Sequence, residues 1–451
     1  MKIVIIGLGT IGKTILKSLS GEGHSITVID EDKDKVEALV EKYDIQGVVG
    51  NGACRDIQKE AGMKDADVTM VLTGSDELNV FACLVAKKLG VGNTVARVRN
   101  PEYRRQILDM KDELGISMIV NPEEDTANEI FNLISLPEIG KVERFAKGRV
   151  LLVEFMVEEG CPLIGQTLIS IGRSLQTKIL ICAVQRGEEV IIPSGHFTVE
   201  EGDRIHFTSD VNSLRDFLDQ IHIVKSPLKR IMIVGGNKIG YYLADKLSAK
   251  KYKVRLLESN KQYAEELADL LPRVTVINGN GTRHDLLLEE GIEAMDAFVA
   301  LTDIDEENMV VSMFADKMKV RRIIAQIKSD DLYGMLAQLG IDNTVSPKEI
   351  VANRILSYIR ALENSRGSNV LTLYRLVGGR VEALEFLAKR QEKIYDTPLR
   401  ELKIKKDCLI ACIIRNTTVI IPDGNSHIEL GDNVIVVTTH KNFDDLTDIF
   451  E

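Results

Sequence analysis

The sequence predicts an α/β chain in which two doubly wound parallel sheets, each with flanking helices, are each followed by a small α+β module. Three observations carry this. An apolar strand pattern, Ile3 to Ile6, runs into Gly7-Leu-Gly-Thr-Ile-Gly12 and a helical stretch to Leu19. The same arrangement restarts at Arg230 to Gly240, an offset of 228 residues. After Val150 the grammar changes to short strands and turns, and that change also recurs late in the chain.

The first copy can be taken element by element. Ile3 to Ile6 is β-branched and apolar, as a buried parallel strand should be. Gly7 turns the chain, Gly9 lets the backbone approach a pyrophosphate, and Gly12 lets the helix pack close to the strand. The first amides of that helix would then point at the phosphates. His24 to Asp30 reads as the second strand. Asp30 lies 18 residues past Gly12, a spacing at which an acid accepts hydrogen bonds from ribose hydroxyls. It would repel a 2′-phosphate, so NAD is favoured over NADP. The plainer role for Asp30 is to cap the next helix, Asp32 to Tyr43.

Gln46 to Val49 is a third strand, followed by the turn Gly50-Asn-Gly-Ala53 and a helix. Val68 to Leu72 is a fourth, with Thr73 and Gly74 at its carboxyl end, the edge where open α/β sheets bind ligands. Ser75 or Asp76 caps the helix running to Leu89. Thr94 to Val98 is a fifth strand, ending near Arg97 and Arg99, either of which can pair with phosphate. Pleat alternation is expected to place only one of the two on a given face. Ile116 to Val120 is a sixth strand, and Pro122 opens a helix through Ser135. Leu136-Pro-Glu-Ile-Gly140 then breaks the pattern.

The first small module has strand-like runs at Val150 to Val157, Ile179 to Val184, Glu189 to Ile192 and Asp203 to Phe207. A helix from Val211 to Ile221 closes it, and Lys225-Ser-Pro-Leu-Lys229 reads as a linker. In the second copy Glu258 stands for Asp30, Gly279-Asn-Gly-Thr282 for Gly50 to Ala53, and Thr302 to Asn308 for Thr73 to Asn79. The last module repeats Arg186, Ile192-Pro193 and Gly202-Asp203 as Arg415, Ile421-Pro422 and Gly431-Asp432. The expected domains are therefore 1–138, 142–224, 229–363 and 368–451. The copies differ at two telling places. Asn237 replaces the middle glycine, and Gln326 replaces Arg97. The second site is expected to bind a nucleotide weakly, bind something else, or serve as scaffold.

Composition excludes several classes. The 451 residues carry a formal charge of −11, 5% aromatics and no Trp, which argues against a nucleic-acid partner. No apolar run approaches a membrane span, and the N-terminal apolar segment lacks a cleavage site. Six cysteines occur without C-x-x-C pairs; Cys182, Cys408 and Cys412 read as small buried hydrophobes, with reduced thiols expected.

The set Gly7 to Gly12, Asp30, Gly50-Asn-Gly52 and Thr73 to Asn79 resembles an RCK (regulator of potassium conductance) N-terminal domain, and the module with Arg186, Ile192-Pro193-Ser-Gly195 and Gly202-Asp203 resembles its C-terminal domain. Two such pairs in one chain look like the tandem-RCK cytosolic regulatory subunits of bacterial Trk potassium uptake. The resemblance implies a nucleotide-binding subunit, for NAD or NADH and for ATP or ADP. It implies docking on a membrane-embedded potassium-transporting partner at the inner face of the membrane. It also implies a homotetramer forming a ring of eight RCK domains. Carried onto this sequence, the family's nucleotide contacts fall on Gly7, Leu8, Gly9, Thr10, Ile11, Asp30, Thr73, Gly74 and Arg97. The second-copy counterparts are Gly235, Gly236, Asn237, Lys238, Ile239 and Glu258.

The rival class is an NAD-dependent oxidoreductase, which needs a general acid or base beside the nicotinamide. The seven histidines, His24, His196, His206, His222, His284, His427 and His440, sit mostly at strand starts, turns or helix ends, and no His-Asp or Tyr-x-x-x-Lys constellation recurs between the copies. A third class is an adaptor with vestigial nucleotide sites, against which the intact Gly7, Gly9, Gly12 and Asp30 set argues. No catalytic residue is assigned, and no metal ligand either. Asp76, Glu77, Glu123, Glu124 and Asp125 read as surface charge and helix capping.

Overall fold

The computed structural model of the chain describes residues 1–21, 23–135, 142–145, 149–175, 179–221, 228–329, 332, 341, 343–364, 370–376, 380–389, 394–416, 418–440, 443 and 445–451. They fall into two compact units, Met1–Ser135 with Leu228–Leu356, and Leu136–Pro227 with Ser357–Glu451.

The first unit holds both parallel sheets. Its first half runs β1 (Lys2–Ile6), α1 (Thr10–Leu19), β2 (Ser25–Asp30), α2 (Lys33–Tyr43), β3 (Gln46–Val49), α3 (Arg55–Glu60), β4 (Val68–Val71), α4 (Asp76–Leu89), β5 (Asn93–Arg97), α5 (Pro101–Asp109), β6 (Met118–Val120) and α6 (Pro122–Ser135). The strands are parallel in the order β3-β2-β1-β4-β5-β6. The strand order reverses beside β1, which places the β1–α1 and β4–α4 turns side by side at the carboxyl edge. Buried Val, Ile and Ala side chains on β1, β4 and β5 give the sheet its core.

The second half repeats this with β12 (Arg230–Val234), α9 (Lys238–Ala249), β13 (Lys253–Glu258), α10 (Lys261–Leu270), β14 (Thr275–Asn278), α11 (His284–Glu289), β15 (Ala297–Ala300), α12 (Asp305–Lys317), β16 (Arg322–Gln326), β17 (Thr344–Val345) and α13 (Pro347–Asn364). Its order is β14-β13-β12-β15-β16-β17. Helix α6 closes the first half in sequence, yet its buried Ala127, Ile130 and Ile134 share a core with Ile239, Leu243 and Leu247 of α9. Asp125 pairs with Arg354, and Arg322 Nη1 donates to the Leu133 carbonyl at 2.5 Å. The two halves are thus knitted into one unit by a helix whose apolar face belongs to the other copy's core.

The second unit holds two antiparallel five-stranded sheets. One contains β7 (Val142–Phe145), β8 (Val150–Met156), β9 (Leu180–Arg186), β10 (Glu189–Ile191) and β11 (Arg204–Ser209), with α7 (Leu168–Ser174) and α8 (Val211–Gln220). The other contains β18 (Val370–Leu376), β19 (Val381–Leu387), β20 (Cys408–Arg415), β21 (Thr418–Ile420) and β22 (Asn433–Thr438). They share a core of Leu152, Cys182 and Ala183 with Ala383, Cys412 and Ile435. Thr208 Oγ1 donates across it to the Ala411 carbonyl at 2.8 Å. In each module an arginine grips a buried aspartate at the final strand: Arg186 reaches both oxygens of Asp203 at 2.7 Å, and Arg415 those of Asp432 at 3.1 and 3.0 Å. These pairs explain why Arg and Gly-Asp recur at matching positions. Without the guanidinium, the carboxylate would be left buried and unpaired.

The strands and helices read from the sequence are present, with ends moved by one or two residues. Helices α5 and α7 and strand β7 were not legible. Among the described residues, the closing helix α8 is matched in the second module by a single 3-10 turn, Leu446–Ile449. The break at Leu136 to Gly140 lies outside the described residues, as do 225–227 of the linker and His222.

The thiols separate cleanly. Burial pushes Cys83, Cys182 and Cys412 up to about 12, whereas Cys54 is exposed at the start of α3. Thiol titration of the native chain at neutral pH should therefore label Cys54 at once and these three only after denaturation. Equal rates for all four would show that the cores open readily.

Candidate functional site

The site of the first copy is built at the carboxyl edge of β1, β2 and β4. Gly7 has φ +96°, and a Cβ there would stand 2.9 Å from the Thr73 amide nitrogen of the neighbouring turn. Gly12 faces the same constraint from the helix side, since a Cβ would lie 2.2 Å from the Gly7 carbonyl oxygen. Gly9 is different. It is the N-cap residue of α1, no side chain caps the helix there, and a Cβ would meet nothing within 4 Å. The first amides of α1 therefore face open space, the condition for receiving an anion.

Asp30 lines the same turn. Its Oδ2 accepts from the Leu8 amide at 2.6 Å, and its Oδ1 from the Asp32 amide at 3.0 Å. Asp32, and not Asp30, caps α2 by accepting from the Lys35 amide. Each Asp30 oxygen keeps a further lone pair, so ribose hydroxyls can be accepted without breaking the turn.

Thr73 is held by Asn79. Its amide donates to Asn79 Oδ1 at 2.9 Å, and Asn79 Nδ2 donates to the Arg97 carbonyl at 2.8 Å. Asp76 pins the next segment by accepting from the Arg99 and Asn100 amides at 2.8 and 2.7 Å. Ser75 caps α4 by accepting from the Leu78 amide. The second copy preserves the clamps: Asn308 joins Thr302 to Gln326, and Asp305 accepts from Lys328 and Ser329. Asn79 and Asp76 carry the site without having been singled out as its supports. Their repetition as Asn308 and Asp305 was the available signal.

The expectation that alternation separates Arg97 from Arg99 is wrong. Residues two apart share a face of a pleated strand. Both side chains turn to the Thr73–Gly74 loop, Arg97 Nη1 donating to the Thr73 carbonyl at 3.5 Å and Arg99 Nη2 to that of Gly74 at 2.5 Å. Burial, followed by the charge of Arg99, pushes the Arg97 guanidinium below its ordinary value, against the pull of Glu123 and Asp76. Among the described residues, Arg97 Nε is buried without a hydrogen-bond partner.

In the second copy the turn is the same but its cradle is filled. Gly235 has φ +107°, and a Cβ on Gly240 would again lie 2.2 Å from the carbonyl of the turn glycine. Glu258 accepts from the Gly236 amide at 2.9 Å and from Asn260 at 2.7 Å, as Asp30 does from Leu8 and Asp32. Asn237 Oδ1, however, accepts from the Ile239 and Gly240 amides at 3.1 and 3.2 Å, and its Nδ2 donates to the Leu301 carbonyl at 2.7 Å. Asn is among the strongest N-caps. Here it uses the amides that stay open beside Gly9.

With this geometry in view, the comparisons define the class as a tandem of two domain types. The TrkA-N domain family matches residues 3–122 and 231–347, and the TrkA-C domain family matches 152–222 and 385–451. The chain belongs to the family of Trk system potassium uptake proteins TrkA. It is 31% identical over 450 residues to the protein of that name from Vibrio alginolyticus, covering 98% of this chain and 97% of the relative. It is 29% identical over 454 residues to a TrkA homolog of Archaeoglobus fulgidus, covering both chains fully. The fold is shared with the GsuK RCK domain (TM-score 0.62, 18% identity, 97% of this chain and 92% of that one). It is also shared with a GsuK channel bound to NAD (TM-score 0.62, 18% identity, 97% and 76%). The tandem-domain Trk resemblance read from the sequence is thereby established, with a fold shared with RCK domains.

The glycines separate folding from binding. Gly12→Ala drives a methyl into backbone and should destabilise the first unit by about 3 kcal/mol. Gly9→Ala should cost about 1 kcal/mol or less, as a weaker N-cap. Denaturant unfolding of the two variants compares them, and equal losses would contradict the open cradle.

Proposed function

We propose that this chain is a nucleotide-binding regulatory subunit that gates a membrane-embedded potassium-transporting partner and does no chemistry of its own. The observation that carries this is the contrast between the two cradles. The first copy offers uncapped helix amides over Gly9, Asp30 beside them, and the half-buried Arg97 facing Thr73. This set suits a dinucleotide or a nucleoside polyphosphate: amides and guanidinium for phosphate, carboxylate for ribose. NAD or NADH is the first choice, because Asp30 disfavours a 2′-phosphate, and ATP or ADP is the competing class. Two structures of similar fold are a GsuK channel bound to NAD and GsuK bound to ADP. The contacts assigned are Gly7, Leu8, Gly9, Thr10, Ile11, Asp30, Thr73, Gly74 and Arg97. In the second copy Gly235, Gly236, Asn237, Lys238, Ile239 and Glu258 occupy the matching places, with Asn237 lowering affinity there.

Regulation would work by differential binding, the nucleotide favouring one conformation of an assembly and so shifting the partner's open population. The assembly proposed is a homotetramer, a ring of eight N- and C-terminal domain pairs. Exposed apolar side chains at equivalent places on α4 and α12 support it: Phe81 is 55% and Val310 48% exposed, with Ile304 and Met313 beside Val310. A second copy of the chain is the surface that would cover them. No described helix is long and apolar enough to cross a membrane, so contact with the membrane is proposed to run through the transporter. The oxidoreductase reading finds less support. Among the described histidines, His24 lies by the Met1 amine, His284 stacks on Phe314 and His440 meets the Lys406 carbonyl, and none of these partners is an assigned contact.

Calorimetric titration of NADH, NAD, ATP and ADP into the full chain tests this. One site per chain is expected, lost in Gly9→Val, with no hydride transfer. Asn237→Ala should lower stability by about 1 kcal/mol as a lost cap and leave that affinity unchanged. Turnover of the cofactor, or full binding by Gly9→Val, would overturn the reading. Phe81→Glu should reduce the assembly's mass in light scattering, and an unchanged mass would remove α4 from the interface.

A further inference from the structure

In the second unit, the carboxylates of Asp396 and Glu429 and the imidazole of His427 converge, their donor atoms all within 4.8 Å of one another. We propose that these three side chains form a site for a divalent transition ion of the Zn2+ class, distinct from the nucleotide cradle and present only in the second C-terminal module.

The fold builds the convergence from two backbone segments. Asp396 adopts φ +58°, and its amide donates to the Ile428 carbonyl at 2.9 Å, so it lies directly against the segment carrying His427 and Glu429. The first module has the same backbone arrangement: the Gly165 amide donates to the Val199 carbonyl at 2.8 Å at the place of Asp396 and Ile428, and Thr198 stands at the place of His427. There neither position offers a ligand of this class: Gly165, also at positive φ (+77°), has no side chain, and Thr198 carries a hydroxyl in place of the imidazole. The duplicated scaffold is retained, and ligating groups appear at both positions of one copy only. Glu200 already matches Glu429.

The charges fit a dication. Asp432 neutralises Arg415 through two hydrogen bonds at 3.1 and 3.0 Å. Glu429 Oε1 also meets Arg415 Nη1, and Asp396 lies close enough to raise that guanidinium's pKa further. With His427 neutral, the four charged groups sum to −2. His427 Nε2 and Glu429 Oε1 are 3.0 Å apart in the metal-free chain, sharing a hydrogen where they would share the ion. Tetrahedral zinc sets its donors roughly 3.4 Å apart, within reach because Asp396 is exposed and can swing inward. One imidazole and two carboxylates suit Zn2+ better than Ca2+ or Mg2+, which take oxygen alone. Three protein ligands leave a fourth position for water or a group from elsewhere.

The test is zinc binding by the full chain without an affinity tag, measured by competition against a chromophoric chelator. One Zn2+ per chain in the micromolar range is expected. His427→Thr and Asp396→Asn, made separately, should each weaken it by at least about tenfold. Zinc should raise the thermal midpoint of the parent chain and not that of His427→Thr. Both positions lie at the surface, and an unchanged midpoint without zinc shows that each variant is folded. Nucleotide titration is the independent control, because this site does not depend on the cradle. No micromolar binding, or binding unchanged in His427→Thr, overturns the proposal and leaves a His427–Glu429–Arg415 hydrogen-bond cluster.

Discussion

Each parallel half of the chain depends on one close approach, that of a helix start to the glycine turn before it. A Cβ on Gly12 would stand 2.2 Å from the Gly7 carbonyl oxygen, and one on Gly240 the same distance from that of Gly235. Only glycine allows the helix axis to come so near the strand end, and only at that distance do the first-turn amides overhang the sheet edge. The acid at the end of the second strand then fixes the turn from below, through Leu8 in one copy and Gly236 in the other. Steric exclusion and one carboxylate thus set the backbone. What each site can bind is decided by side chains placed on a scaffold that does not change.

Seen this way, the difference between the copies is chemical. Two substitutions act in the same direction. Asn237 satisfies the helix amides internally, and Gln326 removes the positive charge that Arg97 supplies. Arg97 is the costlier residue without a ligand. It is desolvated, lies next to Arg99, and leaves a buried Nε without a described partner. An arriving anion would offset each of those costs. Gln326 is neutral and almost fully buried, and gains far less from an anion. On the function proposed above, the first cradle gains more from an anion than the second, whose amides already have a partner.

Much of this was legible in the sequence because duplication supplied a control that a single chain normally lacks. The glycine spacing, Asp30 and the strand runs gave the parallel halves almost to the residue. Failures were of three kinds. Helix α5 and strand β7 are short and weakly patterned, so periodicity did not mark them. Arg97 and Arg99 were assigned to different faces by a misapplied alternation rule, although i and i+2 side chains share a face. The sequence marks Asn237 only as a replaced glycine, whereas its capping chemistry is what occupies the cradle. Pairings across copies, such as α6 with α9 or Asp125 with Arg354, join residues far apart in sequence and leave no local trace.

Helix α6 connects these observations. Its start is capped by Asn121, whose Oδ1 accepts from the Glu123 and Glu124 amides at 3.1 Å each. The same Asn121 reaches, through Nδ2, the Arg99 carbonyl at 3.5 Å and the Tyr242 hydroxyl at 3.4 Å, the latter on α9 of the other copy. The far end of α6 is buried in that copy's core through Ile130 and Ile134. On the function proposed above, an anion bound by Arg97 and Arg99 would act on the segment that holds the start of α6. The helix cannot yield without repacking against α9, and close-packed interfaces shift between discrete arrangements more readily than they deform. Asn237 fixes the start of α9, so the helix on which α6 packs is capped by its own chain.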